Sequence, residues 1–393
     1  MQNPLTDPRS AMTRRNFLKI AAGAAAGAAL FRIPVISEAA SPEAVVKQRR
    51  IRTVSFRDLP FPAAEAAKNS QLVRDAYDGV LAMVNTIEDT SLRSHVLAAI
   101  HDPTPTFMQE YTSGSAVRRL YGQLADQGLI DTSQIGEGQL LPPFSGKNPQ
   151  PFLTAPGSGY EVSHHAYPGG LCTHVGTNLH ITSYICRTYE EVFLYQVHRD
   201  TAIAGQALHD IEKPFVFQWQ EDGSSLKEYT IAGQGAHHVI SLAEVIYRGF
   251  PPDEIVAQAC AHGAPTSPAD EAQVVGWLKA AALMAGKDPV RYGLLNAEGT
   301  GLPAPHRQEG YIVHLGDHDW VLAVPAAQKS VAALKKTAEE DYGLKGKELD
   351  GPVFHAFRNY IGAQVSLMYL NFLSAEPNGT EQIRTLVHRI VTP

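Results

Sequence analysis

Apolar side chains recur at three- and four-residue steps through Leu72, Val73, Ala76, Val80, Leu81 and Val84, and again through Val117, Leu120 and Leu124. That period places them on one face of an α-helix and predicts a helical region over 71–131. Residues 132–160 break the pattern with Gly136, Gly138, Pro142, Pro143, Gly146, Pro149, Pro151, Pro156, Gly157 and Gly159, the signature of a long loop entering a second domain. Helical periodicity returns between Gly170 and Met284, in segments near 171–197, 200–213, 235–248, 252–262 and 269–285. Pro214, the Gly249-Phe250-Pro251-Pro252 run and Gly263-Ala264-Pro265 separate several of them, because proline lacks an amide donor and forces its predecessor out of helical geometry. Farther on, 311–315 and 320–324 are short, β-branched runs around Gly316-Asp317-His318-Asp319, which predicts two strands and a turn. Helical patterns follow at 326–340 and 353–373. The fold class expected is therefore mainly α, with a small α+β element at the C-terminal end.

Composition supports a folded chain: 44% of the 393 residues are apolar and 19% charged. A chain of this length outgrows one ordinary core, so more than one folded part is expected. The first residues stand apart, with Arg14-Arg15-Asn16-Phe17-Leu18-Lys19 preceding an Ala/Gly-rich stretch from Ile20 to Leu30 and small residues at Ser37, Ala39 and Ala40. That order of basic region, short apolar region and cleavage site resembles a twin-arginine signal peptide, which implies export to the periplasm or beyond. The apolar stretch falls short of the about 20 strongly apolar residues a membrane span needs, so no span is expected once the signal is removed. Residues 1–39 carry five basic and two acidic side chains, so their removal takes the net charge from −7 to −10. Such a surface disfavours long nucleic acid, the one basic run being 47–52. Three cysteines, Cys172, Cys186 and Cys260, argue against a disulfide framework and for burial as small apolar residues.

Nine of the sixteen histidines fall between 164 and 262: His164, His165, His174, His180, His198, His209, His237, His238 and His262. Neutral imidazole is a common ligand of divalent metals, and clustering on one helical domain raises a metal hypothesis. At the centre stands Ala207-Leu208-His209-Asp210-Ile211-Glu212-Lys213-Pro214. Adjacent residues on a helix project about 100° apart, so His209 and Asp210 suit a cluster better than symmetric coordination of one ion. Lys213 lies one turn beyond His209, where Pro214 is expected to stop the helix, leaving its ammonium free to hold a phosphate oxygen.

His174, His209-Asp210, His238, His262 and Asp288 follow, at separations of 35, 28, 24 and 26 residues, the H…HD…H…H…D order of the HD phosphohydrolase superfamily. Each gap is about one helical hairpin long. The stretch His164-His165…Gly169-Gly170-Leu171…His174 also resembles the entry motif of that superfamily's 3′-to-5′ exoribonuclease branch. The resemblance covers about residues 160–295, roughly a third of the chain, and departs from the usual pattern in having Glu212 where glycine is common. It implies a helical HD-domain bundle over 151–295, between a signal over 1–39 with a helical N-terminal region and linker over 40–150, and an α+β region over 296–393. It also implies that His174, His209, Asp210 and Asp288 hold a first metal, and that His238 and His262 complete a two-metal version, with His237 as substitute for His238. His164, His165, His237 and Lys213 are the expected substrate contacts, and Asp210 and Lys213 the catalytic pair. The cofactor expected is one or two divalent ions of Mn, Fe, Ni or Zn, all compatible with mixed His/Asp ligands. The chemistry expected is hydrolysis of a small phosphoester, nucleotide or organophosphate, by a metal-activated water. The same ligands also resemble those of the superfamily's di-iron oxygenases, and a third reading is a non-catalytic periplasmic binding protein. The last hundred residues are expected to cap the pocket or build a homodimer.

Two other His-Asp pairs, His101-Asp102 and His318-Asp319, lack partner histidines at hairpin spacing or sit in the predicted strand turn, and are expected to be turn formers. No Gly-Lys-Ser/Thr phosphate loop, Gly-x-Ser-x-Gly elbow, Cys-x-x-Cys pair or dinucleotide fingerprint is present.

Overall fold

Caps and breakers in the sequence set most helix boundaries. The computed structural model describes residues 50–59, 62–147, 149–306 and 308–393; the signal-like segment 1–39 lies outside the described residues. The order is β1 (Val54–Ser55), α1 (Ala63–Lys68), α2 (Gln71–Val84), α3 (Thr90–His101), α4 (Gly114–Asp126), α5 (Gly170–Phe193), α6 (Arg199–Leu208), α7 (Lys213–Val216), β2 (Thr230–Ile231), β3 (Gln234–Gly235), α8 (Ala236–Arg248), α9 (Pro252–Ala259), α10 (Pro268–Met284), α11 (Pro289–Tyr292), α12 (Gln308–Gly316), α13 (Trp320–Tyr342), α14 (Pro352–Val365), α15 (Leu367–Ser374), α16 (Gly379–Ile390) and β4 (Val391–Thr392). Ser70, Asp89, Ser113 and Ser267 accept amide hydrogens at the starts of α2, α3, α4 and α10, satisfying donors that a helix leaves free. Gly249 ends α8 at φ 80°, a left-handed position that glycine adopts without a Cβ clash.

The protein is mainly helical, as the periodicity predicts, and 51–393 forms one compact unit. Helix α2 packs on α5, α5 on α6, α6 on α9 and α8 on α10, around a core that includes Val73, Val80, Leu171, Val175, Leu179, Leu208, Val239, Leu242, Leu278 and Met284. The two ends of the unit meet where β1 pairs in parallel with β4, and Ser70 donates to the Ala363 carbonyl on α14. Cys172, Cys186 and Cys260 are free and buried. No described helix is long and apolar enough to cross a membrane.

The strands expected at 311–315 and 320–324 are helical, in α12 and at the start of α13. Short β-branched runs carry no period that separates a strand from a buried helix. In α12, Ile312 and Val313 are fully buried and the helix lies across α5 and α6. Its last residue, Gly316, passes so close that a Cβ there would overlap the Thr182 hydroxyl and the Gln206 carboxamide. That approach delivers the next residue, Asp317, to the ends of α5 and α6.

One buried acid sets a pH dependence away from this junction. Glu254, in the first turn of α9, is 1% exposed and neither carboxyl oxygen has a hydrogen-bond partner. Burial pushes its pKa up to about 8. The folded protein therefore keeps a proton that the unfolded chain releases near its ordinary value, and stability is lost as pH rises from about 4.5 through 8. Glu254→Gln removes this loss: between pH 5 and 8.5, the urea stability of wild type falls relative to the variant by on the order of 4 kcal/mol. An unchanged difference across that range would contradict the neutral buried acid.

Candidate metal centre

Five parts of the fold send nitrogen and oxygen atoms to one place. Helix α5 contributes His174 from its second turn, and the end of α6 contributes His209 and Asp210. Helix α8 contributes His237 and the turn after α9 contributes His262. The end of α12 contributes Asp317. His174 Nε2 lies 3.1 Å from Asp210 Oδ2 and 3.2 Å from Asp317 Oδ1; His209 Nε2 lies 3.1 and 3.2 Å from the same two oxygens. The two imidazole nitrogens are 3.4 Å apart. On the other side of the carboxylates, His262 Nε2 is 3.4 Å from Asp317 Oδ2 and 3.8 Å from Asp210 Oδ1, and His237 Nε2 is 3.5 Å from Asp210 Oδ1. Ligand atoms each about 2.1 Å from one ion stand roughly 3.0–3.4 Å apart, so these separations are near those of a coordination shell.

The hydrogen bonds behind these atoms decide what can sit among them. His209 Nδ1 is 2.7 Å from the Gln206 carbonyl, which only accepts, so that nitrogen carries the hydrogen. His237 Nδ1 faces the Glu228 carboxylate at 2.7 Å, and His174 Nδ1 faces the Asp319 carboxylate at 3.2 Å. In a neutral ring with its hydrogen on Nδ1, Nε2 is the lone pair turned to the carboxylate oxygens; the Asn178 amide also approaches His174 Nε2, at 3.3 Å. The Nε2 atom of His237 and both oxygens of Asp210 are buried and have no hydrogen-bond partner in the strict sense. A buried group of acceptors is costly unless protons or a cation join it, and the donor set of imidazoles and carboxylates fits a divalent transition metal. Three groups could hold an ion: His174, His209 and Asp317; His209, Asp210 and His262; and, beside them, His165, His174 and Asp319.

The charges agree. Against the desolvation that opposes it, the nearby charges of His209 and Lys213 and the imidazole contacts hold Asp210 well below the usual carboxylate range. His209 and His174 do the same for Asp317. Burial and Lys213 work against a proton on His174, yet its contacts with Asp210, Asp317 and Asp319 raise it well above the ordinary imidazole value. His209, also opposed by burial, is raised to about 9 by Asp210 and Asp317.

Not every expected residue reaches this point. Asp288 is exposed and caps α11, its Oδ1 accepting from the amides of Val290 and Arg291 at 2.9 Å each; an aspartate before Pro289 serves the helix start. The position expected of it is taken by Asp317. His238 is buried, but its Nε2 is turned to the Ala259 carbonyl at 3.1 Å and its ring stacks on His262 at 4.4 Å, so His237 faces Asp210 in its place. Burial lowers His238 to about 3, keeping it neutral. Lys213 is not free: its Nζ lies 2.6 Å from Asp210 Oδ2 and donates to the Gly157 carbonyl at 2.6 Å. Pro214 does not simply stop a helix there but occupies the first turn of α7, where its missing amide costs nothing. His165 has both nitrogens engaged, Nε2 with Asp319 at 2.8 Å and Nδ1 near the Tyr167 and Thr173 hydroxyls at 3.3 and 3.4 Å, which leaves it little capacity for substrate. His164 differs: its ring lies 4.6 Å from that of His174, and its buried Nδ1 has no hydrogen-bond partner.

Of the two other His-Asp pairs, His101 ends α3 and Asp102 caps it, accepting from the Thr104 amide and hydroxyl. His318-Asp319 is not merely a turn, since Asp319 bridges His165 and His174. Asp317, Asp319, Asn178 (which donates to Asp317 Oδ1 at 2.7 Å) and Glu228 are the site residues that sequence reasoning missed. The available signal was Asp317-His318-Asp319 directly after an apolar run, once that run is taken as a helix.

The chain is 37% identical over 107 residues to the dihydroneopterin 2′,3′-cyclic phosphate phosphodiesterase of Methanocaldococcus jannaschii. The similarity takes in 27% of this chain and 42% of that protein, so it spans less than half the length of this relative. No family model matches the chain, and no solved structure does.

Proposed function

We propose that this protein is an HD-type, metal-dependent phosphodiesterase acting on a small phosphodiester, and that residues 174, 209, 210 and 317 hold one cation while 210, 237, 262 and 317 hold a second. The observation that carries this reading is the convergence of the Nε2 atoms of His174, His209, His237 and His262 on Asp210 and Asp317, each carboxylate turning one oxygen to either group. Divalent ions bound there supply Lewis-acid charge for a phosphoryl group and bring the acidity of water toward neutral pH. Lys213 neutralises Asp210 and, through the Gly157 carbonyl, holds the loop that carries His164. His164 is our candidate phosphate contact, supported by its unpartnered Nδ1 and by a ring 4.6 Å from that of His174. Net negative charge favours a small substrate over long nucleic acid. The relative's name makes 2′,3′-cyclic phosphates the first substrates to try. The arginine pair near the N-terminus supports action after export by the twin-arginine route.

The test is turnover of bis(p-nitrophenyl) phosphate and of 2′,3′-cyclic nucleotides by the full chain with Mn²⁺, Fe²⁺, Ni²⁺ or Zn²⁺. Wild type is expected to hydrolyse at least one of them, and Asp210→Ala to lower the rate by about 10³-fold or more. Oxygen consumption without phosphoester cleavage, or equal rates in wild type and Asp210→Ala, would overturn the reading.

A further inference from the structure

Asp319 stands outside the proposed ligand set, at the junction of α12 and α13, and its side chain is 11% exposed. Its two oxygens are divided between two histidines from different segments. Oδ1 lies 3.2 Å from His174 Nδ1, and Oδ2 lies 2.8 Å from His165 Nε2. An ionised carboxylate only accepts, so His165 Nε2, hydrogen-bonded to it, carries a hydrogen. For His174 the contact is electrostatic, since Asp319 Oδ1 makes no hydrogen bond of good geometry: beside the anion at 3.2 Å a hydrogen on Nδ1 is favoured over a lone pair, and the neutral ring then turns Nε2 toward Asp210, Asp317 and His209.

His165 is built as the brace on the other side of that carboxylate. With Nε2–H committed, its Nδ1 is an acceptor lying between the hydroxyls of Tyr167 and Thr173, which are themselves 2.8 Å apart. Its backbone is held in the left-handed region at φ 50°, uncommon for a residue with a side chain. The structure fixes it there through its carbonyl, which accepts from the amides of Gly157 and Tyr167 at 2.9 and 2.8 Å. Gly170 lies so close that a Cβ would overlap that same carbonyl. Backbone strain at such a place is held by its surroundings and marks a position the fold over-determines.

We infer that Asp319 is a positioning residue: it fixes the tautomer and ring orientation of His174, and so tunes the affinity of the neighbouring cation site, while His165 holds the carboxylate in place. Carboxylates behind ligand histidines act in this way at metal sites generally, and their loss costs about 10–100-fold in metal affinity. The inference rests on the proposed cation-binding role of the His174 group. It gives the C-terminal region a part in the centre beyond Asp317, because α13 begins at the carboxylate that orients a side chain on α5.

The test is a competition titration of Mn²⁺ between a fluorescent chelator and the metal-stripped full chain, with thermal denaturation of each metal-free variant alongside. Asp319→Ala and the isosteric Asp319→Asn are expected to bind Mn²⁺ about 10–100-fold more weakly than wild type, and Asp319→Glu to recover part of the loss. Should Asp319→Ala fail to fold, Asp319→Asn carries the same comparison. His174→Ala, which removes the ligand itself, is expected to lose more than either. If Asp319→Asn binds within about threefold of wild type while His174→Ala is strongly weakened, the positioning role is wrong and the cation site stands. If His174→Ala also binds like wild type, it is the cation site that fails.

Discussion

Asp317→Ala is expected to lower phosphodiester turnover by about 10³-fold or more, on the order of 4 kcal/mol in the barrier, and to weaken the binding of both cations. Asp317 is 5% exposed, faces His174, His209 and His262, and is oriented by the Asn178 amide. Removing it leaves the lone pairs of His174 and His209 opposed by Asp210 alone. Asp288→Ala is the contrasting variant. It deletes a helix cap on the surface and is expected to cost about 1 kcal/mol of stability with turnover unchanged. Initial rates across a Mn²⁺ series, with urea unfolding of both variants, check the pair. A rate loss in Asp288→Ala and none in Asp317→Ala would return the aspartate role to the position the HD resemblance implied.

The neighbouring histidines should separate just as clearly. His237→Ala is expected to reduce turnover by about 10²-fold and metal content by one ion, because its Nε2 faces Asp210 Oδ1 and its other nitrogen is held by Glu228. His238→Gln keeps a donor for the Ala259 carbonyl and replaces a ring stacked on His262. It is expected to lose about 1–2 kcal/mol of stability with a smaller effect on turnover. Equilibrium unfolding and metal analysis of the two proteins distinguish a ligand from a packed core histidine. The opposite pattern would mean that the α8 register had been assigned to the wrong ring.

The middle helices were legible because their apolar period and their proline and glycine boundaries agree. The segments expected near 171–197, 235–248 and 269–285 are the helices Gly170–Phe193, Ala236–Arg248 and Pro268–Met284. His174, His209, Asp210 and His262 stand in the H…HD…H…H…D order that carries the resemblance, and the structure brings them together because residues at helix ends, one hairpin apart, return to the same end of a bundle. Spacing failed at the last aspartate. Asp288 satisfied it in number, but a residue before Pro289 is claimed by local capping, and the side chain that reaches the centre is 29 residues farther on. That longer step could not be seen while 311–315 was taken for a strand, since only as a helix do Ile312 and Val313 pack across α5 and α6 and bring Asp317 inward. His237 and His238 were indistinguishable in sequence for another reason. Both lie in the first turn of α8, and which one faces Asp210 is decided by the Glu228 carboxylate and the Ala259 carbonyl, contacts from outside the helix.

Crystals of the full chain grown with Mn²⁺, measured for anomalous scattering near the manganese edge, test the proposed centre most directly. A peak is expected within coordinating distance of His174, His209, Asp210 and Asp317, with a second beside His237 and His262. Metal-replete crystals that bind manganese only elsewhere, leaving those side chains without an ion, would contradict it.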